Sequence, residues 1–172
     1  MIDFLKIKNI KAYAEIMEIA ERPGVLFSND PLQMEAEAHY NMRTIERLNK
    51  LIKHDRVSLH ELDNVFAFLE DTWASYLQKF YAGKIFVFYL WGDYQIPAIR
   101  FSLVSYYEGL ELPFASKVNQ VSERKEVWLA YREKACFDGL QILQHEEDSG
   151  TTNEEEEETA YTATVYARII EC

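Results

Sequence analysis

Glycine and proline are scarce in this chain, six and four in 172 residues, and every glycine stands alone. Loops that cradle a phosphate need closely spaced glycines ahead of a helix, so the usual nucleotide-binding fingerprints are excluded. There are two cysteines, Cys136 and Cys172. That number rules out a disulfide framework and fits a reducing compartment. No apolar run exceeds Ile85 to Trp91, seven residues against the roughly 20 that a membrane-spanning helix needs. The start, Met1 to Lys6, mixes charge with apolar residues where a secretion signal would run apolar. The expectation is a cytoplasmic protein with no membrane contact.

Basic residues are absent from one stretch altogether. Between Glu146 and Glu158 stand eight of the 29 acidic residues and no Lys or Arg, and the rest of the chain carries 18 basic against 21 acidic residues. The net charge of -11 is therefore local, and falls to -3 without that stretch. Five consecutive glutamates, Glu154 to Glu158, repel one another and stay in water unless a cation or a basic partner meets them. The same charge opposes unaided binding to nucleic acid, whose affinity comes largely from Lys and Arg displacing counterions.

What the chain does have is apolar payload: 48% hydrophobic residues, 24 of all residues aromatic. A chain of this length buries about two thirds of its unfolded surface, enough for one domain without staples. A single domain over 1–172 is expected, helical to about 83 and β-rich from 84, with an acidic loop at 145–158. From Asn9 to Arg22, Ile10, Tyr13, Ala14, Met17 and Ala20 recur as one helical face before Pro23-Gly24. Asp30-Pro31 places an N-cap acid before proline at the first helical position, where its missing N–H is harmless. The spacing of Met34, Ala38, Met42, Ile45, Leu48 and Ile52 predicts one helix running to about Asp55. Ser58 with Glu61 forms a capping box, and Leu62, Val65, Phe66, Leu69, Trp73, Tyr76, Leu77 and Phe80 follow on one face, with Gly83 as terminator.

After Gly83 the period changes. Ile85 to Trp91 is apolar on both parities and reads as a strand covered on both faces. The return strand places Ile99, Phe101 and Leu103 opposite Arg100 and Ser102, making a hairpin. Pro113 interrupts the segment from Gly109 to Val121, whose pattern leaves strand and coil both open. Ser122 to Cys136 has helical spacing. Leu140 to Gln144 and Thr159 to Ile170 are expected to form a last strand pair, the latter alternating Val165, Ala167 and Ile169 with Tyr166 and Arg168. Three helices, then a mainly antiparallel sheet with one further helix, make an α+β fold.

No motif in the chain names a reaction. Glu35 and His39, four apart on a helix, lack the further ligands of a metal site and read as a solvated face; no metal and no cofactor are expected. Cys136 sits on an apolar helical face without an activating base and reads as an inert thiol. Fourteen aromatics fall between Phe66 and Tyr107. Most belong to a core, but Trp91, Tyr94 and Tyr107 fall at strand ends and turns, where such rings anchor partners.

Acid beside aromatic suggests a noncatalytic binding protein that grips a basic protein partner. Glu146, Glu147, Asp148 and Glu154, Glu155, Glu156, Glu157, Glu158 would supply the field, and Trp91, Tyr94 and Tyr107 the contact area. Bacterial immunity proteins as a class have this profile, their partner being a basic, nuclease-like toxin domain. A mimic of nucleic acid ranks below it, since one local run is a poor imitation of spaced phosphates. An enzyme or small-molecule site assembled near the hairpin from His60, Glu70, Asp71, Asp93 and Arg100 is the alternative. A homo-oligomer burying its aromatic patch is the third.

Overall fold

The computed structural model describes residues 10–53, 57–93, 98–113, 118–128 and 163–172. Among these residues, helices α1 (Ile10–Ile19), α2 (Pro31–Asn41), α3 (Glu46–Lys53) and α4 (Leu59–Phe80) accompany strands β1 (Arg43–Thr44), β2 (Ile85–Asp93), β3 (Ala98–Ser105), β4 (Val118–Val121) and β5 (Ala163–Glu171). Residues 124–128 are also helical. The strands form one sheet in the order β1-β3-β2-β5-β4, antiparallel except where β4 meets β5. The fold is α+β. Among the described residues no helix is long and apolar enough to cross a membrane.

The central strand β2 owes its place to its side chains. Phe86, Val87, Phe88, Tyr89 and Leu90 are all buried, so both of its faces are covered. Alternation sends Phe86, Phe88 and Leu90 toward one layer, with Phe101, Leu103 and Ile170 of the neighbouring strands. There they meet Ile16, Ile45, Leu48 and the α4 stripe Leu62, Val65, Phe66, Leu69, Trp73 and Leu77. Phe66, Trp73, Phe88 and Phe101 pack at ring-centroid separations from 5.3 to 6.2 Å. Val87, Tyr89, Val104 and Val165 point the other way, onto Met34 and Ala38 of α2.

The helix starts expected from the sequence are present. Asp30 accepts from the Leu32 N–H at 3.0 Å, and Ser58 with Glu61 closes the capping box. Two other expectations are corrected. The single helix from Pro31 to about Asp55 is two helices, parted at Met42 by an extended residue and the two-residue strand β1. Its continuous apolar stripe divides accordingly: Met34 and Ala38 cover one face of the sheet, Ile45 and Leu48 the other. The chain crosses the sheet edge at that break. In α1 the buried side is Ala12 and Ile16, continued by Ala20 just past its end, and Ala14 and Met17 of the expected face are exposed; seven apolar residues in ten offer more than one apolar face, and packing against the neighbours selects which is buried. Phe80, expected on the α4 core stripe, is exposed too. The expected strand Leu140–Gln144, the remainder of the helix to Cys136 and the acidic loop lie outside the described residues.

β1 covers only the middle of β3's outer edge, through Phe101 and Arg100. Side chains close the rest. The Asn49 Oδ1 accepts from the Ile99 N–H at 2.9 Å, the Asn41 Nδ2 donates to the Leu103 carbonyl at 3.0 Å, and the Glu37 Oε1 accepts from the Ser105 N–H at 2.6 Å. These are alternate residues of β3, whose backbone groups face away from β2. Asn41 and Glu37 also hold the loop after α1: Asn41 exchanges hydrogen bonds with Gly24 N–H and carbonyl at 2.8 and 2.7 Å, and Glu37 Oε2 accepts from Leu26 N–H at 2.7 Å.

Candidate functional site

Two polar or aromatic assemblies stand out, one along the first half and middle of α4 and one at its C-terminal end. The first grows from Glu70, an acid set within the apolar stripe between Leu69 and Trp73. Its side chain has no exposure, and a buried carboxylate requires cations or donors. Glu70 Oε2 receives the Arg124 guanidinium at 2.7 Å, and Oε1 receives Arg168 of β5 and, at 3.4 Å, the Tyr166 hydroxyl. Arg124 reaches on to Asp63 at 3.0 Å, and Arg168 to Asp71 at 3.5 Å. Burial works against the Arg124 charge, yet the hydrogen bonds to Asp63 and Glu70 outweigh it and push its pKa up. Burial, then the nearby Glu70 charge, pushes Tyr166 up as well. All charges are satisfied internally, which makes this a clamp between α4, β5 and the helical residues 124–128. Beside it runs a groove of about 500 Å³ lined by Asn64, Ala67, Phe68, Asp71, Thr72 and Ser75, one stripe of a single helix.

The second assembly lies at the C-terminal end of α4. Phe80 packs on Tyr76 at 4.9 Å, Tyr76 lies 6.0 Å from Tyr81, and Tyr81 meets Phe27 edge-on at 5.3 Å. Lys79 sits 5.2 Å over the Phe80 ring and Lys84 5.1 Å over Phe27. Phe27 and Phe80 remain 50% and 58% exposed. A hydrogen bond between the two tyrosines, with burial adding to it, pushes Tyr81 up.

Of the residues picked from the sequence, Trp91 and Tyr107 are half-buried and pack against the α2 side of the sheet. Burial pushes the Tyr107 hydroxyl up, followed by the Glu37 charge. Tyr94, Glu146, Glu147, Asp148 and Glu154 to Glu158 lie outside the described residues. Of the polar set considered around the hairpin, Glu70 and Asp71 meet at Arg168. Arg100 is separated from them by the sheet, its Nη1 3.5 Å from Met42 Sδ, and His60 approaches Asn64 at 3.3 Å on the exposed start of α4. Glu35 and His39 are 3.8 Å apart, both more than half exposed. Among the described residues no three His, Cys, Asp or Glu side chains are grouped to hold a metal ion.

Sequence reasoning missed Arg124, Tyr166, Arg168 and the pair Leu26-Phe27. The signals were present: a glutamate inside a buried stripe demands partners, and two adjacent large apolar residues in a loop are candidates for a presented surface. No family model, curated protein or solved structure matches the chain.

Proposed function

We propose that the chain is a noncatalytic binding protein that docks onto a basic protein partner, with immunity-type inhibition of a nuclease-like toxin as the instance its charge pattern favours. One observation carries the reading: eight acids and no base between Glu146 and Glu158, in a chain otherwise close to balance. Such a field raises encounter rates with a cationic surface and disfavours anionic ones.

The test is capture of a partner with the full chain, its identification by mass spectrometry, and stopped-flow association with the purified partner. The association rate is expected to fall about tenfold or more between roughly 0.02 and 0.2 M salt. Changing Glu154 to Glu158 into glutamines reduces the rate and flattens its salt dependence. A rate indifferent to salt, or unchanged by the glutamines, removes the reading.

A further inference from the structure

The row Phe27, Tyr81, Tyr76, Phe80 is built to be presented rather than covered by the described elements. Both terminal rings are half exposed, and Leu26 and Ile85 beside them are exposed as well. Their supports are rigid. The loop carrying Leu26 and Phe27 is bound through three backbone groups to the buried side chains of Asn41 and Glu37. The turn carrying Tyr81 and Lys84 is closed by the Lys84 N–H on the Tyr81 carbonyl at 3.1 Å. It is tied to the end of β5 by Gly83 N–H on the Cys172 carbonyl at 2.7 Å and Cys172 N–H on the Lys84 carbonyl at 3.0 Å. Rings held this way lose little freedom on contact, which is the property of an interface anchor.

The charges around the row run against the sign of the chain. Lys79 and Lys84 lie over its two terminal rings, both exposed, and the Arg22 charge acts on Tyr81 in the middle. The near acids are Glu171, opposite Ile85 on the sheet, and the buried Glu37, whose charge also acts on Tyr81 and whose Oε2 is taken up by the Leu26 N–H. In a protein of net charge -11, cations stacked over exposed rings define a local surface complementary to carboxylates.

The geometry points to this row as a second docking surface, for a partner segment that offers an apolar side chain to Phe27 and Phe80 with carboxylates on either side to meet Lys84 and Lys79. It is separate in residues and in sign from the acidic run, so either can fail without the other.

The experiment uses the full chain, labelled for amide NMR, and two capped hexapeptides. Both carry a central Trp-Leu, flanked in one by two carboxylate residues on each side and in the other by two lysines. The acidic peptide is expected to shift amides of residues 26–28 and 79–85. The double variant Lys79→Glu, Lys84→Glu should weaken it by about tenfold, the scale of two rim charge pairs, and improve the lysine peptide. Phe27→Ser, at a half-exposed position, should abolish the shifts while leaving the rest of the spectrum in place. Changing Glu154 to Glu158 into glutamines should leave peptide binding intact. Equal binding of both peptides, shifts confined to other residues, no binding at millimolar peptide, or indifference to charge reversal each overturns the proposal. A dimer in solution that Phe27→Ser dissociates also overturns it, because the row would then be occupied by a second copy.

Discussion

Replacing Glu37 by glutamine tests how the open edge of β3 is closed. The side chain has no exposure and is held by donors: Ser105 N–H at 2.6 Å and Ser105 hydroxyl at 2.8 Å on Oε1, Leu26 N–H at 2.7 Å on Oε2. Glutamine keeps one acceptor oxygen. Its amide group must then face either Ser105 or Leu26, and a buried N–H left without an acceptor costs about 1–3 kcal/mol. Removing the charge offsets part of this, since burial is what pushes the Glu37 carboxyl above its ordinary value of 4.5. The expected net loss is about 1–2 kcal/mol near neutral pH. The pH dependence follows from the direction of the shift. A folded state that holds the proton more tightly than the unfolded chain has that contribution in full below 4.5 and loses it as pH rises through the folded pKa. Glu37→Gln has no such proton, so its deficit against the wild type should be largest at the acid end and narrow on going from about pH 5 to pH 8. Urea unfolding of both proteins across that range reads the gap directly. A deficit that widens with pH would mean that the three donors outweigh burial, and the account of this edge would be wrong.

Two further outcomes are expected from the rest of the fold. Glu70→Leu should destabilise by about 2–3 kcal/mol, less than for a wholly buried pair because Arg168 keeps contact with water, and adding Arg168→Met should recover part of the loss; shifts in the urea midpoint at constant slope check both. Gly83→Ala should cost about 1–2 kcal/mol: at φ of 75° the backbone is left-handed, and no atom lies within 4 Å of an added Cβ, so the cost is that of the backbone alone. Thermal unfolding reads it, and an unchanged midpoint would show that the turn relaxes.

Where the sequence was legible, the cause was local. Asp30-Pro31 and the Ser58–Glu61 box satisfy orphan N–H groups within a few residues, and the alternation of Ile99, Phe101 and Leu103 with Arg100 and Ser102 reports a two-sided strand directly. Where it was not, the cause lay far along the chain. Met42, Ile45 and Leu48 continue the period of Met34 and Ala38, and only pairing of Arg43 and Thr44 with Phe101 and Arg100 breaks that helix. The parallel pairing of β4 with β5 joins residues more than 40 positions apart, following a segment interrupted by Pro113. The same holds for the candidate sites. The acidic run could be read directly, whereas the ring row joins Phe27 to Tyr76, Phe80 and Tyr81 across two helices and could not.

Among the described residues two carboxylates, Glu37 and Glu70, are fully buried, and they use opposite means toward one end. Glu70 is met by cations and joins α4 to β5; Glu37 is met by N–H and O–H donors and joins α2 and the loop after α1 to β3. With Asn41 and Asn49, Glu37 occupies outward backbone groups of β3 that a foreign strand would use, and β1 takes those between them. An edge closed in this way resists pairing with another chain. Recognition on this side of the molecule therefore falls to side chains rather than to backbone. The side chains best placed for it are those that Glu37 and Asn41 themselves hold out, Leu26 and Phe27, so loosening the edge and weakening the aromatic surface should be one event. Glu37→Gln accordingly should lower affinity for the acidic probe peptide as well as stability, whereas Glu70→Leu, at the far clamp, should lower stability alone.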